Sequence, residues 1–255
     1  MIIIRAEQMK VFEQAARQQF EEKMMAHSKD FSPRLCEVLG EDQLRVAIRN
    51  AMKRAESHGF TNRGPVRLFI EMMFLFGSSF DTDPQYAAMC EPLGGSDDQM
   101  WRAQQMHQGS LDYLDNVAGQ DAVNVHKALR DLLAFAREPV TFSDDFTGDL
   151  LREMKRIFPQ KAVYVGEAGL RALIAEGFAE ARRYEFSDKR QQGLIVVLKY
   201  AFGHGCMDDP LYPWIAQTMK DEKIVDPAGR AVRLEKKATT WLEHVVAGNE
   251  QGSLA

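Results

Sequence analysis

The sequence predicts an all-α fold, an internally duplicated helical bundle made of two similar units with about four helices each. Three features of the chain point there. Apolar residues recur at spacings of three and four along successive segments, as on helices with one buried face. Residues 40–86 also lie over residues 166–212 at a constant offset of 126, without a gap, and thirteen of the 47 positions are identical. Average composition gives roughly one chance match in 15–20 positions, or about three. Finally, the matches are the structural punctuation, including Gly77/Gly203, Asp83/Asp209, Pro84/Pro210 and Tyr86/Tyr212.

The first helix is read over residues 5–27, with Met9, Phe12, Ala16, Phe20, Met24 and His27 on one face. Phe20/Phe146 and Pro33/Pro159 keep the offset, so the repeat unit starts before Gly40. The second helix is placed at residues 42–58 and again at 168–184. Its stripes are Leu44, Ile48, Met52, Ala55 and Leu170, Ile174, Phe178, Ala181. Gly59 follows the first copy where a left-handed residue closes a helix. Thr61-Asn62 and Ser187-Asp188 then offer oxygen acceptors to the next helix starts.

The third helix, residues 65–76 and 191–202, is apolar on nearly all sides and belongs inside a bundle. Gly77 and Gly203 stop it, and Asp83-Pro84 and Asp209-Pro210 close the loops that follow. A fourth helix pairs Arg102-Ala103, Tyr113-Leu114 and Val117 with Arg230-Ala231, Trp241-Leu242 and Val245, at an offset of 128. Residues 121–137 read as a joining helix, and residues 161–165 as a short extended piece. The division is a first unit over 1–119, a joining helix and linker over 120–145, a second unit over 146–248 and a frayed tail over 249–255.

Composition narrows the function classes. A chain of 255 residues can bury a core without staples. The net charge of −5 argues against a nucleic-acid partner. The apolar runs are about half the ~20 residues of a spanning helix, so no membrane insertion is expected. Three widely spaced cysteines form no disulfide framework, and the opening residues show no signal-peptide core, so a cytoplasmic location is expected.

Reaction chemistry is hard to find. The six histidines show no metal-ligand spacing. Asp81-Thr82-Asp83 opens like a calcium loop but has Tyr86 and Pro92 where glycine and glutamate are needed. The best candidate for a metal or Cys/His-dependent hydrolase is His204 with Cys206, Asp208 and Asp209, where the first copy has Gly77-Ser78-Ser79-Phe80. No catalytic, cofactor-binding or metal residue is assigned, no cofactor is expected, and the chain is read as a non-enzyme. Arg45/Arg171 and Asp83/Asp209 persist in both copies and are expected to brace loop against helix as bidentate pairs. Glu71 and Lys199 interrupt the apolar third helices, where their counterparts are Val197 and Met73. The 13 methionines suit either an adaptable surface or an imperfectly filled core. Trp101, Trp214 and Trp241 are core anchors or interface residues.

Several of these runs carry a resemblance. Ile4-Arg5-x2-Gln8-Met9-x2-Phe12, then Phe20-x3-Met24-x2-His27, then Gly59-Phe60-Thr61-Asn62-Arg63-Gly64-Pro65 through Phe74-x2-Gly77-x2-Phe80-Asp81-x-Asp83-Pro84, resemble small helical proteins encoded beside bacterial type VI secretion effectors. Asp209-Pro210-x2-Pro213-Trp214 is a variant of the same ending. The resemblance implies an effector co-chaperone or loading adaptor whose partner is a secreted effector toxin or a PAAR-type spike tip. Its alternative is an immunity protein that neutralises a cognate toxin. It assigns no functional residues and leaves the binding face and oligomeric state open.

Overall fold

The computed structural model describes residues 6–137 and 141–252, and among them eleven α-helices and no strand. The opening residues 1–5, Pro139 of the expected boundary and residues 253–255 lie outside the described residues.

Helices α1 (Ala6–Phe31) and α2 (Pro33–Ser57) form a hairpin. Arg45 Nη1 donates to Glu21 at 2.8 Å and to Glu22 at 2.6 Å, and Arg49 Nε donates to Glu21 at 2.8 Å. The Arg49 hydrogen bond is the largest influence holding the Glu21 carboxyl below its ordinary range. Helix α2 is two helical pieces that meet at Gly40, and the predicted second helix is the piece that follows it. Pro33 sits in its first turn, where a missing N–H does no harm, and the helix kinks at Gly40 (φ 72°, ψ 168°) before the predicted start. Helix α8 (Pro159–Arg183) is also 25 residues long and kinks at Gly166 (φ 71°, ψ 163°). Residues 161–165, expected to be extended, are therefore helical; Pro159 starts that turn just as Pro33 does.

Helix α3 (Arg63–Phe76) starts without a side-chain cap of its own. Gln99 Oε1, from α5 (Gln99–Tyr113), accepts from Thr61 N at 2.8 Å and Asn62 N at 2.9 Å instead. In α9 (Lys189–Phe202), Asp188 caps as expected, accepting from Arg190 N at 2.7 Å. Glu71 is not stranded in the apolar helix, because it accepts from Arg67 Nε at 2.8 Å and lies 2.7 Å from His27 Nε2 on α1. The four-residue helix α4 (Ala87–Cys90) precedes α5, and α6 (Val123–Arg137) joins the halves. Helix α7 (Phe146–Ile157) packs on α8, and α8 on α9. The short α10 (Pro213–Met219) was not anticipated, and α11 (Pro227–Gly252) runs past Gly248.

The N-terminal core gathers Leu44, Ile48, Phe60, Phe69, Ile70, Met73 and Phe80, and Leu211 from the C-terminal half reaches into it. Most methionines fill this core, Met24, Met25, Met52, Met72, Met73, Met89 and Met106 all being buried. A second cluster forms around Phe186, Ile195, Phe202 and Ile215, and a third around Leu150, Leu170, Ile174 and Val196. Tyr113 and Tyr164 join the halves edge to face, 4.9 Å between ring centroids. No helix among the described residues is long and apolar enough to cross a membrane.

Candidate functional site

The C-terminal ends of α3 and α9 meet at their stop glycines. Gly77 (φ 95°) and Gly203 (φ 92°) occupy the backbone region that disfavours L side chains. A methyl on Gly77 would lie 2.8 Å from the Phe202 carbonyl oxygen and 3.7 Å from Gly203 Cα. On Gly203 it would lie 3.0 Å from the Phe76 carbonyl oxygen. Glycine is needed at both positions for the approach as well as for φ.

Two buried aspartates fasten this meeting point by crossing over. Asp83 Oδ1 accepts from Gln85 N at 2.9 Å, closing its own Asp-Pro turn, while Oδ2 accepts from His204 N at 2.7 Å. Asp209 Oδ1 accepts from Leu211 N at 2.8 Å, and its Oδ2 accepts from Ser78 N at 2.8 Å. Each carboxylate thus holds the residue after the other half's glycine. Burial pushes the Asp209 carboxyl above its ordinary range, against the pull of its backbone donors. The expected Arg–Asp brace is corrected here. Arg45 pairs with Glu21 and Glu22, and Arg171 with Glu167 at 2.8 Å, while the aspartates take backbone N–H donors.

The last carbonyls of α9 are then served by side chains. Gln85 Nε2 donates to Lys199 O at 3.1 Å, and Lys161 Nζ donates to Tyr200 O at 2.7 Å. Lys161 is buried, its ammonium 4.8 Å from the Tyr200 ring centroid and 5.5 Å from that of Tyr86. Burial lowers its pKa to about 8, opposed by the charge of Asp83. Lys199 is also buried and donates to His204 O at 2.5 Å.

A polar row borders the same junction. Arg54 Nη2 donates to Asp81 at 2.5 Å, and His58 Nε2 lies 2.7 Å from the other Asp81 oxygen. His204 Nε2 lies 3.0 Å from Thr82 Oγ1, and its Nδ1 lies 3.0 Å from Glu176 Oε2. Hydroxyl, imidazole and carboxylate follow the order of a nucleophilic triad. The Thr82 hydroxyl also donates to Ser79 O at 3.2 Å and lies 3.5 Å from Arg54 Nη2, so its hydrogen bonds are taken up within the junction. Sequence reasoning had no means of finding this row, since Thr82 and Glu176 sit on different halves.

The suggested Cys/His constellation is put to separate uses. His204 joins the row just described, Asp209 the crossed brace, and Asp208 an exposed pair with Lys220 at 2.8 Å. Cys206 is fully buried, which raises its thiol far above the ordinary range and away from the reactive thiolate. Among the described residues no group of three or more His, Cys, Asp and Glu side chains is placed to hold a metal ion.

Open contact surface lies elsewhere. From Gln8 to Gln19 every residue of α1 is exposed, so Met9 and Phe12 of the predicted apolar stripe cover no core. The stripe runs on through Ala16 and Phe20 into a groove of about 250 Å³ floored by Met52, Phe60 and Val66. A larger groove, about 710 Å³, lies between the turns after α4 and the outer face of α5, with Trp101 on its wall. Compared with family models, with curated proteins and with solved structures, the chain matches none.

Proposed function

We propose that this protein is a non-enzymatic helical scaffold, built from two copies of one helical unit, that holds a protein partner through surface contact. The copies are supported by helix pairs of equal length, 25 and 25 then 14 and 14 residues. The matching kinks and the crossed aspartates support the same reading.

The observation that carries the contact role is the uncovered half of α1. Phe12 is 62% exposed and Met9 46% exposed on one helical face. A helical stretch of this length is marginal in water without packing. Covering a side chain such as Phe12 is worth roughly 1.5–3 kcal/mol. An apolar stripe leading into an apolar-floored groove fits an amphipathic helix of a partner, which reads such anchors at intervals of three and four. From the sequence resemblance we take the partner to be a secreted effector toxin, or the spike-tip protein that carries it, held before type VI export.

The test is co-purification with the protein encoded by the adjoining effector gene. Co-elution that Phe12→Glu abolishes supports the reading. Failure of the two proteins to co-elute, or co-elution indifferent to Phe12→Glu, overturns it. Deleting the gene distinguishes the loading role, which costs delivery, from an immunity role, which costs viability of the producer.

A further inference from the structure

We propose that the groove beside Trp101 is a second docking site, one that takes an extended, basic protein segment carrying Lys or Arg next to apolar side chains. Its wall is the Trp101 indole, 49% exposed. Its floor is formed by Met89 against Gly109, where a methyl on the glycine would stand 3.1 Å from Met89 Cγ. The glycine keeps the floor low enough for a chain to lie in it.

Charge commits the groove to one occupant. Glu91, Asp97 and Asp112 line it, and no lysine or arginine does. None of these three carboxylates takes part in an ion pair among the described residues, whereas Glu21, Glu71 and Asp81 all do. The Asp112 carboxylate accepts from a neutral group, Gln108 Nε2, at 3.0 Å. The guanidinium of the neighbouring Arg102 is engaged elsewhere. Arg102 donates to His58 O at 2.9 Å and Leu93 O at 3.1 Å and stacks 5.0 Å over Phe60, inside the fold. Three unpaired carboxylates around an exposed indole suit cationic side chains twice over, by charge and by the cation–π attraction of the ring face. Phosphate-bearing partners are repelled by the same groups.

This site is independent of the α1 reading, since the two grooves share no lining residue. The experiment uses the intact protein with 15N-labelled tryptophan, whose three indole N–H signals are assigned with Trp101→Phe. The probe is the peptide acetyl-Lys-Leu-Arg-Phe-Lys-amide, with a control in which glutamate replaces each basic residue. We expect the Trp101 signal alone to shift and to saturate below about 1 mM. The triple variant Glu91→Gln/Asp97→Asn/Asp112→Asn should bind about tenfold more weakly at an unchanged melting temperature. Raising salt from about 0.05 to 0.5 M should weaken the wild-type complex several-fold. Phe12→Glu should leave the titration unchanged, which separates this site from the one on α1.

Equal response to the glutamate peptide overturns the proposal, as does equal binding by the triple variant or a shift confined to Trp214 or Trp241. Absence of saturation at several millimolar overturns it too. Self-association of the wild type that Trp101→Ala abolishes would assign the groove to a second copy of this chain instead.

Discussion

Removing one of the crossed aspartates should separate the halves at their meeting point. In Asp83→Ala, Gln85 N and His204 N each lose a charged acceptor, at 2.9 and 2.7 Å. A buried donor left without a partner costs about 1–3 kcal/mol. Removing the buried carboxylate returns part of its desolvation, so the net loss is about 2–4 kcal/mol. That is a large share of the ~5–15 kcal/mol by which domains are stable. Asp83→Asn should do little better. Both oxygens receive N–H donors, so the amide must turn its own NH2 against one of them. Asp209→Ala strips Leu211 N and Ser78 N, and should cost about 2–3 kcal/mol, somewhat less because burial already opposes the Asp209 charge.

The two losses act on one junction, so they should not add. Once Asp83 is gone, Gly203 and Gly77 are no longer held in contact, and Asp209 has less left to hold. The double variant should be more stable than the sum of the singles predicts by about 1 kcal/mol or more, beyond the ~0.5 kcal/mol scatter of independent sites. Urea unfolding followed by far-UV circular dichroism measures all four proteins. Full additivity, or a single-variant loss below about 0.5 kcal/mol, would refute the crossed brace as the joint between the halves.

Other consequences are simpler to state. Lys161→Leu should remove a pH dependence. Lys161 has a folded pKa of about 8 against about 10.4 unfolded, so between these values the unfolded chain holds the extra proton and wild-type stability rises with pH. Relative to the leucine variant the wild type should gain about 1 kcal/mol per pH unit over that window, and a flat difference would contradict the assignment. Gly77→Ala should cost roughly 2–3 kcal/mol, from positive φ together with the 2.8 Å approach to Phe202 O, read as a lower urea midpoint. Cys36, Cys90 and Cys206 are buried, and Cys90 is pushed up to about 12, so iodoacetamide should label none of them at rates typical of exposed thiols. Rapid native labelling of Cys206 would revive a thiol-based reaction. Phe12→Glu should leave stability within about 0.5 kcal/mol, because the side chain covers no core.

Helices and their stops were legible because they are local. Apolar spacing located α3 and α9 to within two residues, and glycine followed by Asp-Pro marked their ends. What each helix face meets is not local. The stripe through Met9, Phe12 and Phe20 announces an amphipathic helix equally well whether it covers a core or stands open, and only the fold shows that its first half stands open. The persistence of Arg45 and Asp83 was readable, but not the pairing, since each residue turned to a different neighbour. Gly40 reads as a breaker and does leave helical geometry, but the helical piece before it, from Pro33, carried too short a pattern to be read. The groove at Trp101 is built from one face of α5 set against turns that carry no periodic signal, so its second wall could not be read.

The joint and the proposed docking surfaces place opposite demands on the two halves. A joint made by crossing over needs the same glycine, aspartate and proline on each side, and these are the positions that agree between residues 40–86 and 166–212. A surface that binds a partner is freed from that requirement and can differ between copies. The fourth helices behave this way under the proposed duplication. Arg102 and Arg230 correspond, and both turn inward to backbone carbonyls, Arg230 Nη2 donating to Ile224 O at 2.9 Å. The residue before each differs, Trp101 in one half and Gly229 in the other. Gly229 N donates to Asp226 at 2.6 Å in a closed helix start, with no aromatic wall beside it. Among the described residues, Trp101 with its three carboxylates and the uncovered stripe of α1 both lie in the N-terminal half. The C-terminal half supplies Leu211, Asp209 and Lys161 to the joint, and under the proposed function it is the support for the half that binds. A partner should accordingly be lost on changing Phe12 or Trp101 with the fold intact, whereas changes at Asp209 should weaken binding only to the extent that they unfold the protein.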